Sequence, residues 1–115
     1  MAKLLVLITS GPDEPAKVKA GLGFARVAKD SGRVEDVQCC FFADGVEVLT
    51  PANRGPFESL LNSLWERQIL VMACQYHAEQ KGIPDQIRQL ERVDLHYVGA
   101  DLVEALNQGF EFVTF

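Results

Sequence analysis

The sequence has 115 residues, of which 48% are hydrophobic, and a formal charge of −5 from 11 Lys and Arg against 16 Asp and Glu. This length fits a single domain over residues 1–115, and the composition excludes intrinsic disorder as the main state. The acidic balance argues against nucleic acid as a partner, which requires a basic surface. No apolar run is long enough to cross a membrane. No cleavage site follows the apolar N-terminus, so we expect a cytoplasmic protein.

The first predicted strand and helix occupy the N-terminal part of the chain. A continuous apolar run predicts a buried strand over Lys3–Thr9. Pro15 begins a helix that ends at Gly32. Gly21 and Gly23 weaken that helix and indicate close packing against the sheet or a neighbouring subunit. The apolar positions at helical spacing are Ala20, Phe24, Val27 and Ala28.

The middle of the chain contains a second strand and an amphipathic helix. We predict the strand over Val34–Ala43, after which Asp44 caps a short helical turn. Thr50–Pro56 is a predicted loop, and Pro56 begins a helix with one apolar face. The residues of that face are Phe57, Leu60, Leu61, Leu64 and Trp65.

The rest of the chain continues the alternation of strands and helices. Strands are predicted over Ile69–Ala73, Leu95–Val98 and Phe110–Phe115, and helices over Cys74–Lys81, Pro84–Leu90 and Asp101–Gln108. Continuous apolar strands that alternate with helices predict an α/β fold, in which a parallel sheet is covered on both faces. The loops that follow the strands then meet at the carboxyl edge of the sheet, where we expect any site to lie.

Cys74 is the candidate nucleophile. It lies where the third predicted strand becomes a helix, a position whose free backbone N–H groups favour a negative charge. The alternative is a small buried hydrophobic residue, as most free cysteines are. His77 follows on the same face of the helix and is placed to exchange a proton with the thiol. A partly exposed surface histidine is the simpler interpretation of His77.

Ser10 and Asp44 are secondary candidates, because both follow predicted strands at the same sheet edge. The loop around Ser10 lacks the lysine and the glycines of a phosphate-binding loop. Cys39 and Cys40 are neighbours within an apolar strand, so we interpret both as core residues.

The histidines and cysteines show no metal-ligand spacing. His96 lies on the fourth predicted strand, where a hydrogen-bonded structural role is the better interpretation. We therefore predict no metal and no cofactor.

Five segments, in their order and spacing, resemble the DsrE/DsrF-like family of small sulfur-relay proteins, which includes the YchN-like proteins. They are Leu7–Asp13, Gly21–Ala25, Phe42–Val46, Ala73–Ile83 and Gly109–Phe115. The resemblance covers nearly the whole chain.

The resemblance implies a three-layer α/β/α fold with a five-stranded parallel sheet, and assembly into trimers or hexamers. In active members, the cysteine that matches Cys74 accepts a sulfane sulfur as a persulfide and passes it to a partner protein. Sulfur donor and acceptor proteins are then the expected partners. Some members carry a second cysteine three residues after the first, where this chain has His77. One-cysteine transfer remains available without it.

Three functions are consistent with these features of the sequence to different degrees. The first is sulfur relay, as a carrier or sulfurtransferase, with Cys74 holding the persulfide and Ser10, Asp44 and His77 lining the site. The second is a non-catalytic oligomeric module that binds a small ligand or a protein at the carboxyl edge. The third, a flavodoxin-like binder of flavin or nucleotide, is disfavoured because no phosphate-binding loop is present.

Overall fold

The computed structural model describes residues 1–115 and contains five strands and five α-helices. The strands are Ala2–Ile8 (β1), Val34–Phe41 (β2), Leu70–Cys74 (β3), Asp94–His96 (β4) and Phe110–Thr114 (β5). The α-helices are Pro15–Asp30 (α1), Glu58–Glu66 (α2), Gln75–Gln80 (α3), Pro84–Arg88 (α4) and Gly99–Asn107 (α5). Two 3₁₀ helices, Ala43–Leu49 and Gly55–Phe57, lie between β2 and α2.

The five strands form one sheet in the order β4-β3-β2-β1-β5, and every pairing is parallel. The predicted α/β fold is therefore confirmed. The chain steps from β1 to β4 in one direction, so right-handed connections place α1 to α4 on one face. The return from β4 to β5 carries α5 across the opposite face. No helix is both long and apolar enough to span a membrane.

The two faces of the sheet are covered unequally. Leu70 and Met72 of β3, and Gln38 of β2, line a cleft against α5. Because side chains alternate along a strand, Cys40 and Cys74 point to the same side as these residues. We call this side the α5 face. Its only helix has nine residues, whereas the other face carries α1, α2 and the short helices.

The buried side of α1 differs from the predicted one. Of the four predicted apolar positions only Ala28 is buried, whereas Ala20, Phe24 and Val27 are exposed. The helix carries a second apolar stripe, one residue out of phase, and this stripe contains Gly21. A Cβ atom at Gly21 would collide with side chains of β1 and of the C-terminus, so its absence lets this stripe approach the sheet. The buried residues are Val18, Gly21, Leu22, Ala25 and Ala28.

The exit from β2 also differs from the prediction. The strand ends at Phe41, and Ala43, with a φ of 52°, begins the 3₁₀ helix. The predicted cap at Asp44 is wrong, because Phe42 occupies the capping position and no side chain caps the helix. Gly45 is required here, since a Cβ atom would collide with the Ile8 carbonyl oxygen. The 3₁₀ helix therefore lies directly on the end of β1.

Two further element boundaries differ between the prediction and the structure, each for a local reason. The helix predicted from Pro56 begins as α2 at Glu58, after one 3₁₀ turn. The fourth strand was predicted through Val98 but ends at His96. Val98 is fully buried and its carbonyl accepts the Leu102 N–H at 2.9 Å, which starts α5 instead.

Candidate functional site

Cys74 is the last residue of β3 and immediately precedes α3. Only 4% of its surface is exposed. With only six residues, α3 contributes few aligned peptide dipoles to the position predicted to favour a thiolate. The residues beside Cys74 on the sheet therefore define the site more than α3 does.

His96 is the neighbour of Cys74 on β4. The two residues are direct partners in the parallel register, so their side chains share the α5 face. The His96 Nδ1 lies 3.0 Å from the Asp94 Oδ1, and its Nε2 contacts the Asp101 Oδ2. Asp101 belongs to the first turn of α5. We call Asp94, His96 and Asp101 the His96 cluster.

The contacts of the His96 cluster favour a protonated imidazole. Ionised carboxylates only accept hydrogen bonds, so a ring that faces one from each nitrogen binds best with both nitrogens protonated. Burial lowers the pKa of His96, but the hydrogen bonds and charges of Asp101 and Asp94 outweigh it, and the net pKa is raised. The cluster thus brings a basic ring and two carboxyl groups close to Cys74.

Cys40 lies near Cys74 on the same face, whereas Cys39 points to the opposite one. Both β2 cysteines are fully buried, and all three cysteines are free thiols. Burial, followed by the proximity of Cys74 and Asp101, raises the pKa of Cys40 to about 12. Burial also raises the pKa of Cys39. The interpretation of both as core residues is confirmed, and neither supplies a thiolate at neutral pH.

His77 interacts with the exit from β2. Its Nδ1 accepts the Ala43 N–H at 2.9 Å, and its ring packs edge-on against Phe42 with the ring centroids 4.3 Å apart. No hydrogen bond joins it to Cys74. The ring therefore holds the backbone where Ala43 adopts its positive φ, and a role for His77 at the thiol stays a prediction.

Asp44 is exposed and forms an ion pair with Lys81 near the exit from β2. Its Oδ1 accepts a hydrogen bond from the Lys81 Nζ at 2.8 Å, and the same Nζ lies 3.4 Å from Glu47. The hydrogen bond with Asp44 is the largest contribution to the raised pKa of Lys81. Two carboxylates thus share one ammonium group beyond the ends of β2 and β3.

Ser10 is buried at the end of β1, and its backbone N–H donates to the Phe115 carbonyl at 3.2 Å. A Cβ atom on the next residue, Gly11, would lie 3.3 Å from the Asp44 carbonyl oxygen. The Ser10 and Asp44 loops are therefore adjacent, and Asp44 is linked to α3 through Lys81. The structure places Ser10, Asp44 and His77 around the 3₁₀ helix, with no hydrogen bond from any of them to Cys74.

The proximity of the His96 cluster to Cys74 was not predicted from the sequence. Its signal in the sequence is the pair Asp94 and His96, which are two residues apart on a strand and therefore share a face. The contribution of Asp101 depends on where α5 crosses the sheet. No group of three or more His, Cys, Asp or Glu side chains is arranged to hold a metal ion.

The fold and the site define a class of small parallel α/β domains in which an interior strand of the sheet ends in a cysteine. The chain belongs to the DsrE/DsrF-like family, whose model matches residues 2–115. No curated protein is significantly similar to it in sequence.

Solved structures share this fold at low sequence identity. The ychN protein from E. coli matches with a TM-score of 0.78 and 16% identity, with 100% of each chain covered. MTH1491 from Methanobacterium thermoautotrophicum, a protein of unknown function, matches with a TM-score of 0.75 and 18% identity over 100% of both chains. BT1422 from Bacteroides thetaiotaomicron, a conserved protein of unknown function, matches with a TM-score of 0.75 and 19% identity, covering 96% of this chain and 94% of its own. These similarities establish the fold.

Proposed function

We propose that the protein is a sulfur carrier that holds a persulfide on Cys74 and passes the sulfur to a partner protein. The supporting observation is the position of Cys74. It is the one cysteine at the end of a strand, whereas Cys39 and Cys40 lie within β2 and are fully buried. Membership in a family of sulfur-relay proteins supports the same chemistry.

The proposed transfer is a thiol–persulfide exchange. The Cys74 thiolate attacks the outer sulfur of a donor persulfide, R–S–SH. A new S–S bond forms on Cys74, the donor S–S bond breaks, and R–S⁻ leaves with the electron pair. An acceptor thiolate then attacks the outer sulfur of the Cys74 persulfide in the same way. No net oxidation occurs in either step.

Incubation with a persulfide donor, followed by intact-mass measurement, tests this proposal. The wild type and Cys40→Ser are expected to gain the mass of sulfur, which the reductant dithiothreitol then removes. Cys74→Ser is expected to gain none. Sulfur on none of the three proteins, or equally on all, would contradict the role of Cys74.

The low exposure of Cys74 favours one alternative, a non-catalytic module that binds a small ligand or a protein at the carboxyl edge. A thiol with 4% of its residue surface exposed reacts only when the surrounding structure opens. If no variant gains sulfur while the folded protein is stable, this alternative replaces the carrier.

We also propose that the protein assembles with copies of itself, as a trimer or a hexamer. Exposed apolar side chains on both helical layers support this: Phe24 and Val27 on α1, and Val103 and Leu106 on α5. Light scattering after gel filtration measures the assembly directly. A stable monomer at working concentration would contradict it.

The cytoplasm is the proposed compartment. All three cysteines are free thiols, which suits a reducing environment. Fractionation of cells that produce the tagged protein tests this placement.

A further inference from the structure

A cleft runs along the α5 face towards Cys74. It has a volume of about 250 Å³ and lies between α5 and strands β2 and β3. Leu70 and Met72 form its floor on β3, and Cys74 is the next residue of β3 on the same face. The cleft therefore ends at Met72, one residue short of the thiol along this face of β3.

Asp101 stands at the end of this cleft. It lines the cleft and also contacts the His96 Nε2. His96 is the register partner of Cys74, so the contact ties the first turn of α5 to the sheet beside the thiol. Cys40, Cys74 and His96 lie on the same face of the sheet, the one that α5 covers.

We propose that this cleft is the approach to Cys74 and that the His96–Asp101 contact closes it. In the closed form the Cys74 residue exposes only 4% of its surface. Separation of Asp101 from His96 frees the first turn of α5 and joins the cleft to the thiol. The inference refines the proposed function by naming the route to its cysteine, but the closure would exist even if no sulfur were transferred.

The charges of the cleft determine which reagents it favours. Asp101 and Glu104 are its only charged lining residues, and both are acidic. Both residues are exposed, so solvent weakens their repulsion of an anion without removing it. The cleft therefore favours uncharged sulfur compounds and disfavours anionic ones such as thiosulfate.

Alkylation of Cys74, followed by mass spectrometry of its peptide, tests the closure without sulfur chemistry. Asp101→Asn is expected to react with iodoacetamide about fivefold faster than the wild type, the change expected for loss of one partly exposed ion pair. Asp85→Asn is the matched control, since it removes the exposed ion pair with Arg88. It is expected to react at the wild-type rate.

A second variant tests the closure if Asp101→Asn does not fold. If circular dichroism shows that Asp101→Asn is unfolded, His96→Gln breaks the same contact from the sheet side and is expected to accelerate alkylation similarly. Leu70→Trp tests the route instead, because it narrows the cleft at an exposed floor residue, and it is expected to slow alkylation.

A wild-type alkylation rate in folded Asp101→Asn or His96→Gln, or equal acceleration by Asp85→Asn, would overturn the closure. A wild-type rate in Leu70→Trp would overturn the route.

The charge of the alkylating reagent provides an independent test of the charge selection by the cleft. The ratio of iodoacetamide to iodoacetate rates is expected to be higher for Cys74 in the folded wild type than in urea-unfolded protein. Glu104→Gln is expected to lower that ratio. Equal ratios in folded and unfolded protein would overturn the charge selection. Failure of alkylation to depend on these residues leaves the sulfur-loading experiment on Cys74 interpretable by itself.

Discussion

Arg67 binds the Asp30 carboxylate with two hydrogen bonds, from Nε at 2.7 Å and from Nη2 at 3.0 Å. Asp30 ends α1 and Arg67 follows α2, so this bidentate pair fastens the ends of two neighbouring helices. The same guanidinium also donates to the Ser63 carbonyl at 3.0 Å. The pair links the C-terminal ends of α1 and α2 at the surface.

The Asp30–Arg67 pair is expected to stabilise the fold in a pH-dependent way. The hydrogen bond from Arg67 is the largest contribution to the lowered pKa of Asp30. A carboxyl group with a depressed folded pKa stabilises the protein above its unfolded pKa, and this contribution is lost as pH falls through the folded value. Urea unfolding should therefore show Asp30→Asn less stable than the wild type at neutral pH. The difference should disappear in acid, and a constant difference would contradict the assignment.

Gly45→Ala is expected to destabilise the protein by about 2 kcal/mol or more, since the new methyl group meets backbone that has no room to move. The obstructing atom is the Ile8 carbonyl oxygen. Gly55→Ala is the matched control, in the other 3₁₀ helix, where a Cβ atom has no neighbour within 4 Å. Urea denaturation measures both, and equal stability of the two variants would show that the 3₁₀ helix moves away from β1.

His77→Ala is expected to reduce stability by about 1 kcal/mol, because the Ala43 N–H loses its acceptor. Hydrogen exchange at the Ala43 amide should accelerate, while sulfur loading of Cys74 should stay at the wild-type level. Tyr76→Ala, an exposed neighbour on the same helix, should leave the Ala43 amide unchanged. Loss of sulfur loading with normal exchange at Ala43 would instead assign His77 to the thiol.

His96 should make stability depend on pH in the neutral range. Its folded pKa is raised above the ordinary value of 6.5. A base with a raised folded pKa contributes stability that is fully present below the unfolded pKa, and that contribution is lost as pH rises through the folded value. The His96 ring protons should titrate above the ordinary value in nuclear magnetic resonance spectra. His96→Gln should flatten the fall in stability on the alkaline side, and a titration midpoint at or below 6.5 would contradict the cluster.

The sheet could be predicted from the sequence to a large extent, because strands buried on both faces leave continuous apolar runs. β1, β2 and β3 were found in this way. The buried side of α1 could not be predicted, since the helix has two apolar stripes and only tertiary contact at Gly21 selects one. β4 has three residues, too few for a periodic signal.

The candidate site could be predicted only in part. The change from strand to helix identifies the position of Cys74 along the chain. It does not identify the face of the sheet on which the thiol lies, or the residue of another strand beside it. The pairing of Cys74 with His96 depends on parallel register across a connection that contains two helices, and no local pattern encodes that register.

The connection through α5 also links the two margins of the sheet. β4 pairs only with β3 and β5 pairs only with β1, and α5 is the chain that joins these two edge strands. The helix has Asp101 in its first turn, where it contacts His96, and it is followed by β5, on the far side of the sheet from Cys74. One helix thus connects the side of the sheet that carries Cys74 with the opposite edge strand.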